Sequence, residues 1–260
     1  MASSFTEPTP NAQLVPDQIR PDVILCCGED KGAFLAAWRA VGFPAGAQAA
    51  EFRAYSVWTL PEVTVILASI GTGVLEPLLY ELLGTGRAER IVLVGTAGRM
   101  AAGARLALGK AFAIVEAHLA GTGLDREVTE LPLQPHWPGL AEATEAAGEG
   151  TASIVSSDFY YGFSPALRAG DYRHRLPGLR RDFERLSGNV DLVDMEVGQF
   201  YALCRLIPES PGLRFLAFKG ASNGVDNHAE QNAHAPAVLL HCLEQAVAAL
   251  GLGAGFGRGA

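Results

Sequence analysis

The segment of this chain best suited to chemistry is Val193–Cys204, VDMEVGQFYALC, where Asp194, Met195 and Glu196 open an otherwise apolar run. A carboxylate in such surroundings is not buried without a partner. Two vicinal hydroxyls, as on a ribose, would satisfy one carboxylate by donating to it together. The plainer alternative is an acid placed to favour a helix N-terminus. Further along, Ser222 and Asn223 follow an apolar run. An amide side chain holds a donor and an acceptor, so Asn223 could face the N7 and O6 edge of a 6-oxopurine as charge develops on the base. SSDFYYGF (Ser156–Phe163) sets three aromatics beside a Ser-Ser-Asp turn. Aromatics there can stack on a flat base, or simply fill core or an interface.

Two glycine loops add an anion-binding possibility, beside the plainer reading of GTG as a tight turn. Gly71-Thr72-Gly73 lies in IGTGV, and Thr96 and Gly98 lie in VGTAGRM. Glycines after a strand let backbone N–H groups turn toward phosphate or water, and a following helix N-terminus adds a favourable dipole. Neither loop fits the dinucleotide GxGxxG pattern or the P-loop GxxxxGK[ST] pattern. KGASNGVDN contains G-x-S-x-G from Gly220 to Gly224, the pattern of a hydrolase nucleophile elbow. That reading needs a strand, an acid and a histidine after the serine, and Asp226, His228, His234 and His241 crowd the short remainder of the chain. Cys26, Cys27, Cys204 and Cys242 show no CxxC or zinc-ligand spacing. They read as buried, reduced thiols, and no metal site is expected.

These residues need elements to hold them. Strands are expected at Asp22–Cys27, Glu62–Ile70, Arg90–Gly95, Ala111–Ala120, Thr151–Ser157 and Leu213–Gly220. Helices are expected near Gly32–Val41, Leu75–Leu83, from Val193 onward, and at Ala235–Leu250. Alternation of this kind predicts a single-domain, three-layer α/β/α architecture with a central mixed, mostly parallel sheet. In such sheets ligands bind beyond the C-terminal ends of the strands, where the polar and glycine residues above fall.

The chain has 260 residues, enough for one large domain. Residues 1–20, rich in Pro, Ser and Thr, read as a flexible arm; 21–250 form the domain; 251–260 read as a flexible Gly-rich tail. The net charge of −8 and the lack of a basic stripe argue against nucleic acid and anionic membrane as partners. No apolar leader or uninterrupted membrane-length run is present, and a cytoplasmic location is expected.

Taken in order and spacing, VGTAG, SSDFYY, VDMEVGQFYALC and ASN resemble the nucleoside phosphorylase/nucleosidase superfamily over roughly residues 21 to 250. The resemblance implies cleavage of the N-glycosidic bond of a nucleoside, without metal or organic cofactor. It implies that Glu196 binds the ribose 2′- and 3′-hydroxyls with Met195 against the sugar, that Tyr160 stacks on the base, and that Asn223 assists its departure. Thr96, Gly98 and Ser222 would complete the substrate pocket, and Gly71, Thr72, Gly73 and Thr96 would position water or inorganic phosphate. Many phosphorylases of the family carry an arginine where this chain has Leu93, which favours water as the nucleophile. Lys31 stands near the place of a basic residue in bacterial phosphorylases and would serve phosphate. Methylthioadenosine nucleosidases have a water-activating glutamate in that region, a role open to Glu29 or Asp30 only with a slipped register. Asn rather than Asp at 223 points to a 6-oxo base. Hydrolysis is the leading expectation, with phosphorolysis and non-catalytic nucleoside binding as alternatives, in a homo-oligomer.

Overall fold

A computed structural model describes residues 13–44, 46–121, 132–140, 144, 150–164, 173–207 and 212–253. Nine strands and five helices are assigned among them. The strands are β1 (Asp22–Cys27), β2 (Ala50–Glu51), β3 (Tyr55–Thr59), β4 (Val63–Ala68), β5 (Arg90–Arg99), β6 (Ala111–Ala120), β7 (Thr151–Ser157), β8 (Leu192–Asp194) and β9 (Arg214–Gly224). The helices are α1 (Lys31–Ala40), α2 (Thr72–Gly84), α3 (Pro177–Leu186), α4 (Val197–Leu206) and α5 (Gln231–Leu250).

β1 and β4 are buried along their whole length and pair in parallel, as their unbroken apolar sequences require. Side chains alternate between two covered faces. Val23, Leu25 and Cys27 join a core with residues of α2 and α4, while Ile24 and Cys26 join a second core with residues of α1 and α5. Helices therefore flank a mixed sheet in the order β2-β3-β4-β1-β5-β8-β7-β6-β9. This is the α/β class expected, with one refinement. β5 pairs with β9 as well as with β1 and β8, so β5, β8, β7, β6 and β9 close into a ring. The sheet is half open and half barrel.

The closure depends on long strands. β5 and β9 run well past the ends expected for them and carry Thr96, Gly98, Ser222 and Asn223 inside extended backbone. Their parallel register shifts between Ala97 and Gly98, so that Ala221 faces Ala97 while Asn223 faces Gly98. The extra residue is Ser222, and a bulge of this kind re-aims neighbouring side chains. The G-x-S-x-G sequence is thus a bulged strand, not a turn into a helix. Its first glycine has a packing reason: a Cβ on Gly220 would lie 2.3 Å from Val238 on α5.

Val193 and Asp194 belong to the short strand β8, and the helix expected there starts only at Val197. Residues 13–20 of the expected arm lie against the body: Leu14 and Ile19 are buried, and Glu81 accepts from the backbone of Gln13 and Leu14. Leu252 of the expected tail is buried too. The rest of both segments, 1–12 and 254–260, falls outside the described residues. α5 is long and apolar enough to cross a membrane, but Val238, Leu239, Cys242, Leu243, Ala246 and Leu250 place its apolar stripe in the second core.

Candidate active site

A cavity of about 320 Å³ opens at the C-terminal rim of the parallel strands. β1 leads into it with Cys27, Gly28 and Glu29; β5 contributes Thr96 and Ala97; β9 contributes Ser222 and Asn223. Asp158 to Tyr161 enter from the end of β7, and Asp194, Met195 and Glu196 from the β8–α4 junction. The structure thus brings Glu196, Met195, Tyr160, Thr96, Ser222 and Asn223 together around one space. Among the described residues no cluster of three His, Cys, Asp or Glu side chains is arranged to hold a metal ion.

The two acids of the β8–α4 junction divide their work. Asp194 Oδ2 accepts from the backbone N–H of Val197 and so caps α4, while Ser156 Oγ donates to its other oxygen. Ser156 also accepts from the backbone N–H of Gly198, tying β7 to the helix start. Glu196 occupies the N-cap position of α4 without capping it. The helix-start explanation therefore belongs to Asp194. Glu196 turns toward the cavity and toward Lys219.

Lys219 is the residue the sequence reading missed. Its ammonium lies 3.2 Å from Asp194 Oδ2 and 3.2 Å from Glu196 Oε2, and it is 1% exposed. It also reaches the Thr96 carbonyl oxygen at 3.4 Å. Burial alone would push the ammonium toward its neutral form. Glu196, Asp194 and Glu29 outweigh that effect and hold it protonated, well above the ordinary lysine value. Burial raises Glu196 above the usual carboxylate range, opposed chiefly by Lys219. The sequence signal was available: a lone lysine in the apolar run LRFLAFKG is a buried charge in need of acids.

Glu29 is also in the cavity, with no change of register. Its Oε1 accepts from the backbone N–H of Thr96 at 2.5 Å. Asp30 cannot share the role, because its Oδ1 caps α1 by accepting from Ala33 N–H at 2.8 Å. Gly95 lies under this crossing of charges: a Cβ there would sit 3.1 Å from both Glu29 Oε1 and Lys219 Nζ.

Several expected site residues lie elsewhere or act differently. Lys31 is away from the cavity, because the first turn of α1 points it at the β2–β3 edge. There it donates to Glu51 at 2.6 Å and to Ser56 at 3.2 Å. Gly71 is the N-cap of α2 with a positive φ of 100°, which favours glycine. Its N–H donates to the Glu196 carboxylate. Gly73 is exposed at the first turn of α2 and does not line the cavity; nor does Gly98. Thr72 begins that helix. Gly98 instead makes room for an aromatic, since a Cβ on it would lie 2.4 Å from the Tyr160 hydroxyl oxygen. Leu93 is fully buried in the core beside α2 and α4.

Asn223 is 1% exposed and its amide is engaged on both sides. Oδ1 accepts from Ser222 Oγ at 2.9 Å, Nδ2 donates to the Gly224 carbonyl at 2.8 Å, and the amide also hydrogen-bonds the Tyr160 hydroxyl. Burial, partly offset by that bond from Asn223, raises the Tyr160 phenol to about 12.

No family model and no curated protein matches this chain. Solved structures do. Futalosine hydrolase of Helicobacter pylori is 14% identical with a TM-score of 0.63, covering 89% of this chain and 98% of its own. The 5′-methylthioadenosine/S-adenosylhomocysteine nucleosidase from Neisseria meningitidis is 17% identical with a TM-score of 0.60, covering 88% and 98%. Uridine phosphorylase from Vibrio fischeri is 18% identical with a TM-score of 0.65, covering 95% and 97%. Over nearly its whole length, this chain has the fold shared by the nucleoside phosphorylases and nucleosidases.

Proposed function

We propose that the protein hydrolyses the N-glycosidic bond of a nucleoside. The observation that carries hydrolysis over phosphorolysis is the occupancy of the two glycine loops. Both bind an anion, but the anion belongs to the protein: Gly71 N–H donates to Glu196, and Thr96 N–H donates to Glu29. The described lining includes Glu29, Asp158, Asp194 and Glu196 and no Lys or Arg. The buried Lys219 is already flanked by two carboxylates. A phosphate dianion entering this space would meet like charge at close range, whereas water would not.

In this reading Glu196 accepts from the ribose 2′- and 3′-hydroxyls, its remaining lone pairs facing the cavity beside Met195. The C1′–N bond breaks and its electron pair leaves with the base. The ring, developing oxocarbenium character, is stabilised by the neighbouring carboxylates. Glu29 holds a water under C1′ and takes its proton as the new C1′–O bond forms. Asn223 and Tyr160 face the departing base. Chromatography of products from a panel of purine and pyrimidine nucleosides tests the proposal: free base and free ribose without phosphate support it, and strict dependence on phosphate sinks it.

A further inference from the structure

We infer that Arg173, buried behind the cavity, is the positioning residue that holds its aromatic wall in place. The inference rests on the glycosidic-cleavage reading, in which that wall meets the base. Tyr160 and Tyr161 line the cavity from one short 3₁₀ turn, Tyr160–Phe163. A single turn of this kind has too few internal hydrogen bonds to hold itself, so its neighbours impose its shape. Its entry is pinned where the Phe159 N–H donates to Ser157 Oγ at 3.1 Å. Its exit is pinned where Ser164 Oγ donates to Asp226 Oδ1 at 2.8 Å. Asp226 follows Asn223 closely in the chain, so this second bond ties the aromatic wall to the far end of β9.

Arg173 makes the third attachment, and it grips the turn itself. The side chain is 7% exposed. Its Nη1 donates to the Gly162 carbonyl at 2.9 Å and to the Ser164 carbonyl at 3.1 Å. Carbonyls at the end of a helical turn have no partner within it, so these two are the ones a clamp can take. The guanidinium also lies over the Phe183 ring of α3, 4.0 Å from its centroid. Phe183 packs in turn against the fully buried Phe163, with ring centroids 5.9 Å apart. Arg173 thus joins the turn to α3 by two hydrogen bonds and a ring face. Among the described residues no carboxylate pairs with it, so the cost of burying this charge is offset by the turn and the ring. A lysine could reach the carbonyls but has no plane to lay on Phe183. Release of the clamp would let the turn shift and move Tyr160 relative to Asn223 and Met195, across the space the base enters.

The test separates positioning from stability by measuring KM, kcat and the denaturation midpoint together, on the nucleoside that releases its base fastest. Arg173→Met keeps the stem and removes the fork. Its KM should rise about 10-fold with kcat within about threefold, because the wall is lost to substrate and transition state alike while Glu196 and Glu29 are untouched. Arg90→Met is the control for a merely softened fold. Arg90 pairs with the Asp22 carboxylate and the Leu250 carbonyl at the start of β5, away from the cavity. That variant should lose stability and keep its KM within about twofold of the wild type. A folded Arg173→Met protein with KM within about twofold of the wild type overturns the assignment, as does an Arg90→Met protein whose KM rises equally far. If Arg173→Met does not fold, Phe183→Leu decides: it leaves both hydrogen bonds and removes the ring beneath the guanidinium. Its KM should rise about threefold, and an unchanged KM overturns the assignment. A wild-type protein that releases no base from any nucleoside of the panel instead sinks the glycosidic-cleavage reading, and the assignment with it.

Discussion

Lys219 Nζ stands 3.2 Å from Asp194 Oδ2 and equally far from Glu196 Oε2, so one buried cation is shared between a helix-capping acid and a cavity-facing acid. Three consequences of folding meet at this point: the closing of the β5–β9 ring, the start of α4, and the floor of the cavity. Removing the cation leaves two buried carboxylates uncompensated. Lys219→Met should therefore destabilise the fold by about 3–5 kcal/mol in chemical denaturation. A loss below about 1 kcal/mol would mean that the acids are hydrated or protonated rather than paired.

In the proposed reaction Glu196 sets the pH dependence of sugar binding. Burial raises its proton affinity above the ordinary glutamate value of 4.5, with Lys219 opposing. Only the ionised form accepts from both hydroxyls, so kcat/KM should fall on the acid side at a pH above that value. Stability has the opposite sign for this group. Its raised folded value favours the fold at low pH, and that contribution disappears as pH rises through it. Glu196→Gln should abolish most turnover while weakening the acid limb of what remains. An acid limb at or below 4.5 in the wild type contradicts this account.

Glu29 is assigned to water. Glu29→Gln retains an acceptor for Thr96 N–H but cannot take a proton, so the loop should keep its shape while hydrolysis falls about 100-fold or more. Circular dichroism and base release, measured together, check both halves of the statement. Undiminished turnover would remove Glu29 from the mechanism.

Lys31 supplies a contrast. It and Glu51 form a solvent-exposed ion pair, which contributes about 0–1 kcal/mol. Lys31→Ala should leave base release within about twofold of the wild type and the denaturation midpoint little changed. A large rise in KM for phosphate in that variant would restore phosphorolysis.

The sequence and the structure agree best where chemistry and backbone pattern coincide. The apolar runs at Asp22–Cys27 and Arg90–Val94 became buried parallel strands, because both faces of such a sheet are covered. Glu196, Met195, Tyr160, Thr96, Ser222 and Asn223 surround one cavity because the rim of a parallel sheet gathers the residues after each strand. Legibility failed where partners are distant in the chain. Lys219 meets Asp194 and Glu196 only once β9 lies beside β5. The glycine loops do follow strands, but the sequence pattern does not reveal that the carboxylates of Glu29 and Glu196 lie against the N–H groups of Thr96 and Gly71. Gly98 looked like a ligand contact, and its role emerged only from the oxygen of Tyr160 lying against it. β8 is too short to show a period, so its residues were absorbed into the following helix.

The most direct test is the product of the wild-type reaction, measured with purified protein and a nucleoside panel in phosphate-free buffer and again with added phosphate. Free base and free ribose at equal rates in both conditions is the result expected of a cavity whose anion sites hold Glu29 and Glu196. Ribose 1-phosphate, formed only when phosphate is present, would contradict it.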